Sequence, residues 1–110
     1  MNIQIFGKNK CFDTKKAQRW FKERRIKVQY VDVLRCGMSR GELQSVKNAV
    51  GLMNMADEKD ADYALFTNLA SDEARLDKLF EIPELLRTPI VRNGRQATVG
   101  YCPEVWKGWE

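Results

Sequence analysis

The sequence predicts an α/β domain with the order β-α-β, a block of helices, a β-hairpin and a closing helix. Three observations carry that reading. An apolar run at 2–6 enters a short basic loop and then an amphipathic helix. A second run, Val28 to Leu34, is rich in β-branched residues. Near the end, Asn93-Gly94 stands between Pro89-Ile90-Val91-Arg92 and Gln96-Ala97-Thr98-Val99.

Each element follows from its pattern. Residues 2–6 read as a buried strand. Residues 14–25 read as a helix, because Ala17, Trp20 and Phe21 share one face at helical spacing. Strand, helix and strand in this order imply a parallel pair joined by a right-handed crossover. Ser39 and Glu42 form a capping box ahead of Leu43, Val46 and Val50, so a second helix is expected over about 40–50. A short helix is expected within 57–66, bearing Tyr63, Leu65 and Phe66. A better one is expected from Ser71 to Phe80, with Ala74, Leu76, Leu79 and Phe80 as its apolar residues. Asn93-Gly94 suits the positive φ angles of a type I′ turn. The last helix is expected to start at Pro103, favourable at a first helical position, and to carry Val105, Trp106 and Trp109.

The 110 residues fit a single domain spanning 1–110, with a helical insertion over about 39–82. The order is that of a thioredoxin-like fold with helices inserted before the hairpin. In that arrangement the third strand starts beside the end of the first, and the fourth returns to the same edge. Thr88-Pro89 and Gly100-Tyr101-Cys102 would then gather near Cys11.

Composition excludes several chemistries. The apolar fraction of 44% is ordinary for a globular protein. No apolar run is long enough to span a membrane, and no signal peptide is visible, so a cytoplasmic location and no membrane partner are expected. The three cysteines, Cys11, Cys36 and Cys102, are too sparse for a disulfide framework and suit a reducing compartment. With no histidine, every imidazole base is excluded, including Ser–His and Cys–His pairs, as are zinc sites built on histidine. No C-x-x-C is present, so no metal site is expected. The net charge is +4, but acids interleave the bases and no recognition motif accompanies them, so no direct nucleic-acid role is expected.

Cys11 sits where chemistry is expected. It follows a strand and a basic loop and precedes a helix. Free N–H groups at a helix start favour a thiolate, and Lys8, Lys10, Lys15 and Lys16 add positive charge. Asp13 opposes it unless its carboxylate caps the helix. The alternative is an inert small side chain. Trp20, Trp106 and Trp109 read as core, and Gly7 and Gly100 as turn or close-approach positions.

Cys11-x-x-Thr14-Lys15-Lys16-Ala17-x-Arg19-Trp20, then Leu86-Arg87-Thr88-Pro89-Ile90-Val91, then Val99-Gly100-Tyr101-x-Pro103-Glu104 resemble the ArsC/Spx family of thioredoxin-fold proteins. That family includes glutaredoxin-coupled arsenate reductases, YffB-type glutathione-dependent thiol reductases and Spx regulators that bind RNA polymerase. The resemblance covers essentially the whole chain. It implies a nucleophilic Cys11, a cis Pro89 and a site lined by Thr14, Arg87 and Thr88.

The departures from the family pattern bear on function. Arsenate reductases hold the oxyanion with arginines. The first falls where this chain has Asn54, the second directly before the proline at Thr88, and the third near Tyr101. Arg87, displaced by one residue, is what remains. A dianionic oxyanion needs several charge-assisted bonds, so arsenate reduction is not expected. The regulators often carry C-x-x-C as a switch, whereas here Thr14 fills the second position. The resemblance therefore implies a monothiol reductase with Cys11 as nucleophile and no bound prosthetic group. Glutathione would serve as cosubstrate, acting on a small thiol or oxidised thiol, with glutaredoxin as a candidate partner. Thr14 would stabilise the thiolate, Arg87 would hold an anionic group, and Cys102 is a candidate resolving thiol. The alternatives are an Spx-like regulator binding RNA polymerase, or a member whose thiol is a relic.

Overall fold

The computed structural model describes residues 1–109. Four strands form one sheet in the order β2-β1-β3-β4. The strands are β1 (Ile3–Gly7), β2 (Val28–Asp32), β3 (Ile90–Asn93) and β4 (Gln96–Val99). β1 and β2 are parallel, with Ile3 opposite Val28, and the crossover between them is α1 (Phe12–Glu23). β3 runs antiparallel to β1, Ile90 beside Phe6, and β4 returns along β3 with Val99 beside Ile90. The start of β3 and the end of β4 therefore meet the end of β1, as the thioredoxin-like order requires.

The two faces of the sheet bury different cores. Ile3, Ile5 and Val91 face α1 and pack with Ala17, Trp20, Phe21 and Trp106. Three rings interlock there: Trp106 lies 5.4 Å from Trp20 and 5.0 Å from Phe21. Its indole N–H donates to the buried Thr98 hydroxyl at 2.8 Å, so a wholly buried tryptophan leaves no donor unpaired. Phe6 and Ile90 face the opposite way, into a core built from Leu43, Val46, Phe66 and Leu79 of the helices between β2 and β3. Those helices are α2 (Val33–Cys36), α3 (Arg40–Val50), α4 (Tyr63–Asn68) and α5 (Asp72–Glu81). The chain closes on α6 (Pro103–Trp106) and a 3₁₀ turn, with Trp109 half-buried against the first core.

Several boundaries differ from the sequence reading. α1 starts at Phe12 with Cys11 as its N-cap residue, and Asp13 lies inside the first turn, 3.8 Å from Lys16, rather than capping it. β2 stops at Asp32 because that carboxylate accepts from the Leu34 N–H, which turns Val33 and Leu34 into a helical turn. Residues 57–62 stay out of α4 because Asp57 and Asp60 each bond the backbone two positions on, at 2.9 Å. The hairpin register pairs Asn93 with Gln96, so Gly94 and Arg95 are the turn residues. Gly94 has φ 60° while Arg95 is not left-handed, the sign pattern of a type II′ rather than a type I′ turn. Phe80 is exposed, beneath the Arg40 guanidinium at 4.3 Å, rather than part of α5's buried face. The capping box at Ser39 and Glu42 forms as expected, with the Glu42 N–H donating to Ser39 at 3.1 Å.

Candidate thiol site

The end of β1 delivers the chain into the site. Gly7 is buried against α1: a Cβ there would come within 2.4 Å of Thr14 Cγ2. That close approach lets the Lys8–Lys10 loop turn tightly, with the Cys11 N–H donating to the Lys8 carbonyl at 3.0 Å. Thr14 is fully buried beneath the loop, and its hydroxyl oxygen accepts from the Lys8 N–H at 3.4 Å. With that oxygen accepting from the backbone, its hydrogen is available to the Cys11 sulfur.

Across the site, Thr88 stands before a cis Pro89. The Cys11 thiol donates to the Thr88 carbonyl at 3.5 Å. Burial disfavours charge on this sulfur. Hydrogen bonds from the Thr14 and Thr88 hydroxyls and from the Thr14 and Asp13 backbone N–H groups outweigh it, and hold the thiol below its ordinary pKa. The thiol form keeps a single bond to a carbonyl, whereas the thiolate gathers several donors.

Cys11, Arg87 and Thr88 line one groove of about 480 Å³. Lys8, Lys59, Asp57 and Glu58 also line it, so both charge signs meet beside the sulfur. Lys8 Nζ donates to the Glu84 carbonyl at 2.8 Å. The exposed Arg87 is anchored through its N–H to the Met55 carbonyl, and its guanidinium reaches to 3.6 Å of where a Cβ on Gly100 would stand. That distance is ordinary contact, so it is the φ of 89° that favours glycine at position 100. Asp57-Glu58-Lys59 escaped the sequence reading as part of the site; the signal available was the turn-forming pair Asp57 and Asp60 between helices.

The remaining expected residues fall around this centre. The Cys102 thiol donates to the Val99 carbonyl at 3.4 Å, and burial, with the Glu104 carboxylate, pushes its pKa up. Arg87 and Asp13 also act on its charge. Cys36 is exposed at the end of α2, and all three thiols are unpaired. Asn54, where the resemblance placed an arginine, donates to the Val50 carbonyl at 2.7 Å. Among the described residues no trio of Cys, Asp and Glu is grouped as a metal site requires. No helix there is long and apolar enough to cross a membrane.

The ArsC family model matches residues 6–109, from the end of strand β1 through the closing 3₁₀ turn. The chain belongs to the ArsC family. The chain is also similar to the global transcriptional regulator Spx 2 of Oceanobacillus iheyensis, 31% identical over 107 residues, covering 92% of this chain and 78% of the regulator. Among solved structures, the arsenate reductase from Vibrio cholerae superposes with a TM-score of 0.84 at 25% identity, over 96% of this chain and 94% of its own. A YFFB protein superposes with a TM-score of 0.85 at 16% identity, over 97% of each chain, a likeness of fold. The arsenate reductase and the YFFB protein thus share this chain's architecture, and the thioredoxin-like reading of the sequence holds.

Proposed function

We propose that this ArsC-family protein is a monothiol thiol-disulfide oxidoreductase that uses Cys11 as its nucleophile and glutathione as cosubstrate. The observation that supports this reading is the Cys11 sulfur, held below its ordinary pKa at the edge of an open groove. A thiolate is the attacking species in disulfide exchange. The Cys11 thiolate attacks the glutathione sulfur of a mixed disulfide R–S–SG. The S–S bond breaks, R–S⁻ leaves and takes a proton, and Cys11 carries the glutathionyl group. A second glutathione thiolate attacks that adduct, releasing oxidised glutathione and restoring the Cys11 thiolate. The mixed signs lining the groove suit a zwitterionic tripeptide better than a bare dianion. Arg87 would take a glutathione carboxylate, the Thr14 and Thr88 hydroxyls would stabilise the leaving thiolate of Cys11, and Cys102 is held in reserve as an intramolecular resolving thiol. Three unpaired cysteines fit a reducing compartment such as the cytoplasm.

The likeness to Spx 2 favours a second reading, a regulator that binds RNA polymerase. Thr14 at the second position of the switch motif weakens it. The deciding assay is turnover of a glutathione mixed disulfide with reduced glutathione, coupled to NADPH consumption, with Cys11→Ser as the blank. Turnover above the blank supports the reductase. A rate equal to the blank, together with co-purification with RNA polymerase, would replace it with the regulator.

A further inference from the structure

A second groove, of about 380 Å³, lies at the opposite end of the sheet from Cys11, where β2 begins at Val28. Its lining carries Lys22, Arg25 and Lys27 over Ile26 and Val28, with no acid among the lining residues. The nearest carboxylate in sequence, Glu23, is exposed on α1 outside that lining.

Arg25 stands in an unusual backbone position. α1 ends in a Schellman motif: the Ile26 N–H donates to the Phe21 carbonyl and the Arg25 N–H to the Lys22 carbonyl, both at 3.0 Å. The motif places Arg25 in the left-handed region at φ 59°, the only non-glycine residue among those described to have a positive φ. Glycine is the usual occupant, since any Cβ is strained there. The chain thus keeps an arginine in the lining of the groove at a position where its backbone favours glycine.

The third feature is the strand edge. β2 is the outermost strand of the sheet, so alternate N–H and C=O groups along it face away from β1. An open strand edge beside cations and an apolar floor fits an extended peptide whose backbone adds to the sheet. Its alternate side chains would be acidic and aliphatic. A nucleic acid would use the cations but neither the strand edge nor, without an aromatic ring in the lining, a stacking platform. From this juxtaposition we infer that the β2 edge and the Lys22–Arg25–Lys27 groove form a docking site for an acidic, extended segment of a partner protein, separate from the thiol site.

The test uses a fluorescein-labelled octapeptide of alternating Glu and Val, titrated against the full chain by fluorescence anisotropy. The expected result is saturable binding that weakens with salt and shifts amide resonances within 25–32. Arg25→Gly relieves the backbone, so it should leave the fold as stable or more so, yet weaken binding by about tenfold. Lys22→Glu/Lys27→Glu should weaken it at least as much, and so should N-methylation of alternate peptide amides on the unaltered protein. The inference is overturned by no binding at millimolar peptide, or by equal affinity in Arg25→Gly. Indifference to N-methylation overturns it as well. An oligothymidylate of equal charge binding more tightly than the peptide would reassign the groove to phosphodiesters.

Discussion

The Cys11 thiol and the Thr88 carbonyl oxygen lie 3.5 Å apart although 77 positions separate them. The end of β1 and the start of β3 are neighbours in the sheet, and that pairing brings the two loops together. The same neighbourhood adds the Thr88 hydroxyl to the donors that the start of α1 supplies from Thr14 and Asp13, so the pKa of Cys11 depends on the fold as well as on the helix start. Thr14→Val keeps the buried volume but removes the hydroxyl, one of the causes that lower this pKa. The pH midpoint of Cys11 alkylation should move up in this variant, and the rate at neutral pH should fall. An unchanged midpoint would show that Thr14 packs without acting on the sulfur.

The two half-buried thiols should affect pH-dependent stability with opposite signs. Cys11 has a lowered folded pKa. Its contribution is fully present above the unfolded value, about 8.5, and is lost as pH falls through the folded one. Cys102 has a raised folded pKa, so the folded state there binds more protons and stability is lost as pH rises above the unfolded value. Urea unfolding between neutral pH and mild alkali should therefore show the deficit of Cys11→Ser growing with pH. Cys102→Ser should lessen the alkaline loss. Parallel curves for the three proteins would contradict both assignments.

The fold was legible because its order is carried by strong local signals. Ala17, Trp20 and Phe21 mark α1, the Ser39–Glu42 capping box marks α3, and Pro103 marks α6. What was misread depends on side chains bonding to nearby backbone. Asp32 ends β2 early, and Asp57 and Asp60 delay α4. The start of α1 is a backbone matter instead: Cys11 is the N-cap residue without a side-chain cap, and its carbonyl accepts from the Lys15 N–H at 3.1 Å. Phe80 was misread because its spacing marks an apolar face, while its ring rests under Arg40 from another helix. Of the candidate site, Cys11, Thr14, Arg87, Thr88 and Pro89 were legible from the resemblance. The Asp57–Lys59 side of the groove was missed because the local turn made by Asp57 and Asp60 does not say where the fold will place it, beside Lys8 and Asp13 at the sulfur.

Gly7→Ala tests how tightly the first turn of α1 is held. The added Cβ would meet Thr14 Cγ2 at 2.4 Å and Tyr30 Cε1 at 3.1 Å. Neither neighbour can retreat freely, since Thr14 is wholly buried and the Tyr30 hydroxyl donates to Asn9 at 2.7 Å. Overpacking of this kind should cost about 1–3 kcal/mol and slow Cys11 alkylation. In Gly7→Ala/Thr14→Ala the nearest clash is gone, so the double variant should be less destabilised than the sum of the single ones. Additive losses would mean that the helix simply shifts outward.

Arg75 is expected to hold the insertion together without touching the thiol site. Its guanidinium donates to the carbonyls of Phe66, Thr67 and Leu69 at 3.2, 3.1 and 2.7 Å, where α4 ends; the Phe66 carbonyl also accepts from the Leu69 N–H at 3.3 Å. A fourth contact, to Asp72 at 3.0 Å, fixes the fork from its own helix. The side chain is 19% exposed, so these are partly shielded charge-assisted bonds and not a surface ion pair. Arg75→Ala leaves several carbonyls short of donors and should cost about 1–3 kcal/mol. Arg75→Lys should recover only part of that, because an ammonium cannot reproduce the planar fork. The loss should appear as faster amide exchange over 63–69, with the pH midpoint of Cys11 alkylation unchanged. A shifted midpoint would show that the insertion and the β1–α1 loop are coupled, and that the thiol site depends on the helices across the sheet from it.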